Sequence, residues 1–262
     1  MKKVTKTPGP NALTQYAARH SVGEWEEGFR RQNQGQSYHL IRDLVFADQG
    51  GLCAYCESHV ASRPEHERRI EHYHDKSDRQ SVRIHNWGLD WNNILGVCVG
   101  GSDDESKRQY QLPTNLSCDS HKAHLKSEID AAPEGRLLNP LQLPATPCLF
   151  ALDKRTGKLT ADVTHCGEVT IDGNQFATTQ ELVEETIRIL NLNCDRLNQQ
   201  RLAVLYEYNR LIGDARRNNN PQIFNQLAQR WLQKGWVPWF STRRILLGQH
   251  AESWLMANNY QG

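Results

Sequence analysis

From Thr178 to the end of the chain, apolar residues recur every three or four positions, the period of a helix that buries one face. "TTQELVEETIRILNL" opens on Thr178 and carries Glu181 three residues later, a capping-box signature that predicts a helix start there. Leu197, Val204, Leu205, Tyr208, Leu211 and Ile212 share one face of a second predicted helix. "NPQIFNQLAQRWLQKG" and "STRRILLGQHAESWLMANN" predict two more, and the polar run "RRNNNP" at 216–221 predicts a loop between helices. Near the other end, Leu40, Ile41, Leu44, Val45 and Phe46 fall at helical spacing, and Gly50 and Gly51 stop that helix. Before it, Ser21 with Glu24 reads as a further helix start, and residues 1–22, with Pro8, Gly9 and Pro10, read as an extended arm.

The middle of the chain has a different pattern. Residues 52–130 show no long amphipathic helix until "SHKAHLKSEID". "GRLLNPLQLPATP" is punctuated by prolines and reads as a connector. "CLFALDKRTGKLTADVT" and "CGEVTIDG" read as short strands, with a turn at Thr156 and Gly157. The pattern implies an α+β chain, mainly helical, in three parts. Residues 1–51 form an N-terminal arm and helices, 52–134 a core, and 135–262 a β-hairpin followed by a helical region suited to binding a partner or nucleic acid.

Composition narrows the class. The chain has 262 residues, 38% hydrophobic and 23% charged, with a net charge of +1. Global charge therefore does not drive nucleic-acid binding, although a local patch can. No run approaches the roughly 18 apolar residues of a membrane helix, and "MKKVTKTPGPNAL" lacks the apolar stretch of a signal peptide. The expectation is a cytoplasmic protein that does not engage a membrane. Arg188, Arg196, Arg201 and Arg210 read as solvated helix faces, with contact to nucleic acid or an acidic partner as the alternative. The tryptophans at 231, 236, 239 and 254 belong to a core or to an interface.

The seven cysteines add chemistry. Cys148, Cys166 and Cys194 are scattered and read as buried thiols. Cys53, Cys56, Cys98 and Cys118 cluster in the first half. "CAYC" is a knuckle that lets two thiolates meet one tetrahedral ion, and Cys98 and Cys118 complete a Cys₄ structural zinc site. A metal is useful there, because the region is poor in apolar residues. A redox pair at Cys53 and Cys56 is the competing reading, but it needs a strand before the pair, and a helix is predicted instead. The nineteen residues between Cys98 and Cys118 have loop composition. Inside this frame lies "RIEHYHDKS", where Glu71 precedes His72, then "DWNNILGVC" and "CDSHK".

This string resembles the HNH endonuclease motif, the ββα-metal fold. In that family two cysteine pairs bind structural zinc around a hairpin and a helix, and a carboxylate–histidine pair lies on the first strand. The resemblance implies that Glu71 is a ligand of a catalytic divalent ion and His72 the general base. Asn93 is the loop Asn that holds His72 in position. "CDSHK" matches the family's C-N-x-x-K, with Cys118 as zinc ligand and Lys122 as the terminal lysine. The chain departs from the pattern at Asp119, where Asn or His is usual, and in the long gap from Cys98 to Cys118. Asp119 is a hard oxygen ligand suited to Mg²⁺ or Mn²⁺, with His121 as the second candidate. "LCAYCE", "IEHYHDKS", "LLNP", "LFALDKRTGKL" and "ILNLNCDRLNQQR" look like the HNH nuclease subunit of retron and Septu-type antiphage systems. That implies an effector working with an ATPase subunit, and in retrons also with a reverse transcriptase and its RNA–DNA product.

The implied chemistry is hydrolysis of a phosphodiester by water with one metal, which fits DNA or RNA because no 2′-OH takes part. Arg68, Arg69, Lys76, Arg79 and Arg83 surround the motif and suit backbone phosphates, with Lys122 as a further candidate. Alternation puts His74 on the face of His72, as a support to the site residues, a substrate contact or an exposed strand edge. Tyr73 points the other way, into a local core. The rival to an enzyme is a zinc-stabilised binding module with no chemistry.

Overall fold

The computed structural model describes residues 1–78, 85–125, 132–233 and 235–260. Helix α1 (Ala12–Arg19) begins at Asn11, whose side chain accepts hydrogen bonds from the amides of Leu13 and Thr14. Residues 1–22 are therefore not an extended arm. An Asn cap directly after Pro10 starts a helix, and Leu13 and Tyr16 are buried. Ser21 opens no helix. Gly23 and Gly28 weaken helix propensity there, and Trp25 and Phe29 pack on each other and, through Phe29, on Tyr16 instead. A 3₁₀ stretch over Phe29–Gly35 follows, interrupted at Gln32 to Gln34. Helix α2 (Gln36–Asp48) buries Ile41, Val45 and Phe46 and ends as expected at Gly50 and Gly51, whose φ angles are 63° and 77°.

Strand β1 (Arg69–His72) pairs antiparallel with β2 (Ile94–Val97), placing Glu71 opposite Leu95 and His72 opposite Ile94. The insert between Cys98 and Cys118 is not all loop. Asp103 accepts from the amide of Ser106 and caps α3 (Asp104–Gln109). Helix α4 (Cys118–His124) carries "CDSHK", and residues 126–130 of the expected helix lie outside the described residues. Strands β3 (Phe150–Leu152) and β4 (Leu159–Ala161) form the second hairpin, with Gly157 at φ 75° in its turn. "CGEVTIDG" is not a strand. Asp162 accepts from the amide of His165 and starts α5 (Val163–Glu168).

The capping box of Thr178 and Glu181 opens α6 (Thr179–Ile189). Then follow α7 (Asp195–Arg217), α8 (Ile223–Leu232), α9 (Phe240–Leu247) and α10 (Gln249–Ala257). The last two were one stretch in the sequence pattern. Gly248, at φ 54° and ψ −129°, breaks it. None of the described helices is long and apolar enough to cross a membrane.

Three clusters of buried side chains organise the chain. The largest draws on Phe46, the cysteine knuckle, Tyr73, Leu95, Val97, Leu138 and the buried faces of α6 and α7. A second contains Leu13, Trp25, Phe29, Ile41, Val45, Trp91 and Ile94. A third, around Trp231, closes α8, α9 and α10. Trp231 and Trp239 are thus core residues. Arg196 and Arg201 are buried as well, not on a solvated face.

Strand β1 lies between the first two clusters. Side-chain alternation sends Ile70 and His72 toward the second cluster and Tyr73 into the first. Its partner β2 is tied to the end of α2 by one side chain. Gln49 Nε2 donates to the carbonyls of Leu52 and Gly96 at 2.7 and 2.8 Å, and its Oε1 accepts from the Gly96 amide at 2.8 Å. Replacing Gln49 by Leu orphans these buried groups, at about 1–3 kcal/mol each. Thermal unfolding of Gln49→Leu is expected to show a clear drop in Tm with no change in the far-UV circular dichroism of the folded state.

Candidate metal centre and active site

The four motif cysteines converge. Cys53 and Cys56 lie in the turn after α2, held by the Cys53 amide on the Ser58 carbonyl and the Ala54 amide on the Gly96 carbonyl, both at 2.9 Å. Cys98 follows β2, and Cys118 begins α4, its amide on the Leu190 carbonyl at 2.8 Å. Sγ of Cys53 and Cys118 are 3.8 Å apart, Cys56 and Cys98 3.8 Å, and Cys98 and Cys118 3.9 Å. All four sulfurs lie within 4.8 Å of one another, and all four cysteines are free of disulfides.

Sulfurs about 2.3 Å from one tetrahedral ion stand about 3.8 Å apart, so the cage fits a single metal. Cys53 and Cys56 are not an isolated pair, since they face two further thiols. The long gap before Cys118 does not spread the site. The Ser117 amide bonds the Gly100 carbonyl at 2.9 Å, so the insert leaves and returns at one point.

Beside this cage, β1 and α4 bring Glu71, Asp119 and Lys122 together. Lys122 Nζ donates to Glu71 Oε1 at 2.6 Å and to the Tyr73 carbonyl at 2.9 Å. Asp119 and Lys122 are three residues apart and share a face of α4. Burial pushes the Glu71 carboxyl well above the usual carboxylate range, the Lys122 ammonium opposes this, and the adjoining Asp119 carboxyl adds to it. Two carboxyl groups that meet beside one ammonium offer oxygen donors, the type that hard cations accept. His121 is turned elsewhere, its Nδ1 at 2.8 Å from the Ile189 carbonyl. Among the described residues, the only cluster of three or more metal-ligating groups this close is the cysteine cage.

His72 leaves the strand on the other face. Its ring meets Trp25 edge-on at 4.6 Å, and Nε2 lies 3.1 Å from the Gly88 carbonyl. A carbonyl only accepts, so Nε2 carries the hydrogen and Nδ1 keeps its lone pair. Burial holds the imidazole down to about 3, so the ring is neutral at neutral pH.

Asn93, fully buried, fixes the turn beyond the strand. Its Oδ1 accepts from the His74 amide, its Nδ2 donates to the carbonyls of His74 and Trp87, and its own carbonyl accepts from the Tyr73 amide. These bonds shape the segment around His72 without touching its ring. Tyr73 packs in the core, its hydroxyl donating to the Leu137 carbonyl at 2.5 Å.

His74 is neither on the strand nor exposed. β1 ends at His72, and the His74 ring stacks on Trp87 at 4.1 Å, with Asp78 and Glu134 at 3.0 and 2.9 Å from its two nitrogens. Trp25, Trp87 and Glu134 escaped the sequence reading. They lie outside the motif string, and Glu134 is 60 residues from His74.

The basic residues separate. Arg69 is exposed, with Nη1 3.5 Å from Ser120 Oγ. Lys76 pairs with Glu26, and Arg68 with Asp43 at 3.5 Å. Arg79 and Arg83 lie outside the described residues.

Gly100 has φ 61°, and a Cβ there would stand 2.1 Å from the Ser117 carbonyl oxygen. Gly100→Ala must push apart the two cysteine-bearing segments. It is expected to retain less than one metal ion per chain under chelator challenge that leaves the parent loaded, read by elemental analysis.

No protein-family model matches the chain. A protein of Escherichia coli named as an HNH endonuclease of retron Ec83 is 38% identical over 250 residues, covering 94% of this chain and 93% of the relative. That identity, over nearly the full length of both proteins, places the chain among the HNH endonucleases of retron type.

Proposed function

We propose that the chain is the nuclease effector of a retron antiphage system, hydrolysing phosphodiester bonds in DNA or RNA with one divalent ion. The observation that carries this is the meeting of Glu71 and Asp119, from β1 and α4, beside Cys118 of the cysteine cage and with His72 next in the chain. The cage would hold structural zinc, which four thiolates at this spacing suit. Glu71 and Asp119 would hold Mg²⁺ or Mn²⁺, the hard ions that carboxylates select. When bound, that ion polarises the scissile phosphate and stabilises the leaving 3′ oxygen.

The chain's own residues do the rest. Nδ1 of neutral His72 takes the proton from the attacking water, while the Gly88 carbonyl holds the opposite edge of the ring. Asn93 fixes the turn that carries this edge. Lys122 is engaged with Glu71 and the Tyr73 carbonyl, so it orients the carboxylate in place of contacting substrate. Arg69, exposed on β1, is left to hold a backbone phosphate. His74, closed in by Trp87, Asp78 and Glu134, supports the turn. Kinship with a retron protein supports partnership with an ATPase subunit, a reverse transcriptase and its RNA–DNA product.

The test is cleavage of plasmid DNA and total tRNA in Mn²⁺, with and without the proteins encoded beside it. EDTA is expected to stop cleavage. His72→Ala is expected to lower the rate at least about 100-fold while zinc content and folding survive. Retained cleavage by a clean His72→Ala preparation would sink the proposal. Nucleic-acid binding without cleavage, unchanged when Glu71 and His72 are both replaced, would instead establish a binding module.

A further inference from the structure

Among the described residues, two arginines of α7 lie buried without an acidic partner. Arg201 is 2% exposed and Arg196 8%. Arg201 Nη1 donates to the Gly157 carbonyl and Asn198 Oδ1 at 3.1 and 3.0 Å, and Nη2 donates to the Leu192 carbonyl at 2.5 Å. Arg196 Nη2 donates to Ser117 Oγ at 2.7 Å, and its Nε has no partner. All these acceptors are neutral. Burial lowers Arg201 only to about 10, so it is charged at neutral pH. Two buried cations without counter-charge are strongly unfavourable.

The surroundings limit where the counter-charge can be. Among the described residues, the strongest charge interactions of Arg196 are with Cys194, Cys98, Cys56 and Cys118, and those of Arg201 with Cys56, Cys194, Glu57 and Cys118. Burial raises the Cys194 thiol, which keeps it neutral. The Glu57 carboxylate is taken by the Met1 ammonium at 3.5 Å and by the amide and hydroxyl of Ser241. What remains is the cysteine cage. Arg196 and Cys98 line one small cavity of about 40 Å³, and Ser117, which Arg196 holds, directly precedes Cys118. A divalent ion with four thiolates is a dianion, which matches two guanidinium groups.

We infer that Arg196 and Arg201 are the counter-charges of a divalent metal–tetrathiolate at Cys53, Cys56, Cys98 and Cys118, and that they couple the seating of α7 on the nuclease core to metal loading. This rests on the reading of the cage as a metal site. It gives the C-terminal helical region a stake in the metal: α7 is fully stabilised against the core only when the cage is loaded.

The experiment compares the full chain with Arg196→Met, Arg201→Met and Arg201→Lys, each with Zn²⁺ bound and after its removal. Zn²⁺ affinity is measured by competition with a chromogenic chelator, and unfolding is followed by calorimetry. Each Met variant is expected to bind Zn²⁺ about tenfold more weakly or worse, as neighbours that support metal ligands generally do. Arg201→Lys keeps the charge and should retain most of the affinity. The Met variants should lose more thermal stability in the zinc-loaded form than in the zinc-free form. Unchanged Zn²⁺ affinity in both Met variants, or equal loss of stability in both forms, overturns the inference and marks the arginines as hydrogen-bonding struts. Should Arg201→Met fail to fold, Arg196→Met, which gives up a single bond to Ser117, decides the matter. A parent protein that binds no Zn²⁺ overturns the metal site itself, a result distinct from either.

Discussion

Four sulfur atoms within 4.8 Å of one another tie together the segments that carry the site. They join the turn after α2, the end of β2 and the start of α4, beside the buried side chains of Phe46, Leu95 and Val97. Drawn to one point, these segments set β1 against α4, and from that follows the meeting of Glu71 with Asp119 and Lys122. Gln49 and the bond between Ser117 and Gly100 do the same work with backbone groups, closing the hairpin on the knuckle and the insert on itself.

Strand β1 adds a second constraint. It runs between two hydrophobic clusters, so consecutive side chains enter different surroundings. Glu71 faces α4, where a buried carboxyl group meets a carboxylate and an ammonium. His72 faces Trp25 and the Gly88 carbonyl, where burial keeps an imidazole neutral. Burial thereby shifts two adjacent groups in opposite directions, the carboxyl up and the imidazole down. Asn93 holds the turn beyond them through both ends of its amide, so the orientation depends on hydrogen bonds rather than on the strand alone.

Much of this was legible in the chain. The helical period after Thr178, its capping box, the glycine stop after α2 and the turn at Gly157 are local signals, and each appears in the fold. The misreadings were also local. Asn11 caps a helix behind Pro10, Asp103 and Asp162 start short helices, and Gly248 splits the last helix. In each case one capping side chain or one glycine outweighed the composition of its neighbourhood. Arg196 and Arg201 show the limit of periodicity, for a helix face rich in arginine reads as solvated until its neighbours are known.

The order of cysteines, carboxylate, histidine and asparagine along the chain determined the kind of chemistry, because spacing within a knuckle or a strand restricts what a side chain can reach. Only the tertiary structure decided which partners those side chains meet. Asp119 rather than His121 lies against Glu71, because the turn of α4 sends His121 to the Ile189 carbonyl. Lys122 is committed to Glu71, and His74 is enclosed by Trp87 and by Glu134 from 60 residues away. Such contacts depend on where segments distant in sequence are packed, and packing is set by burial over the whole chain rather than by any motif within it.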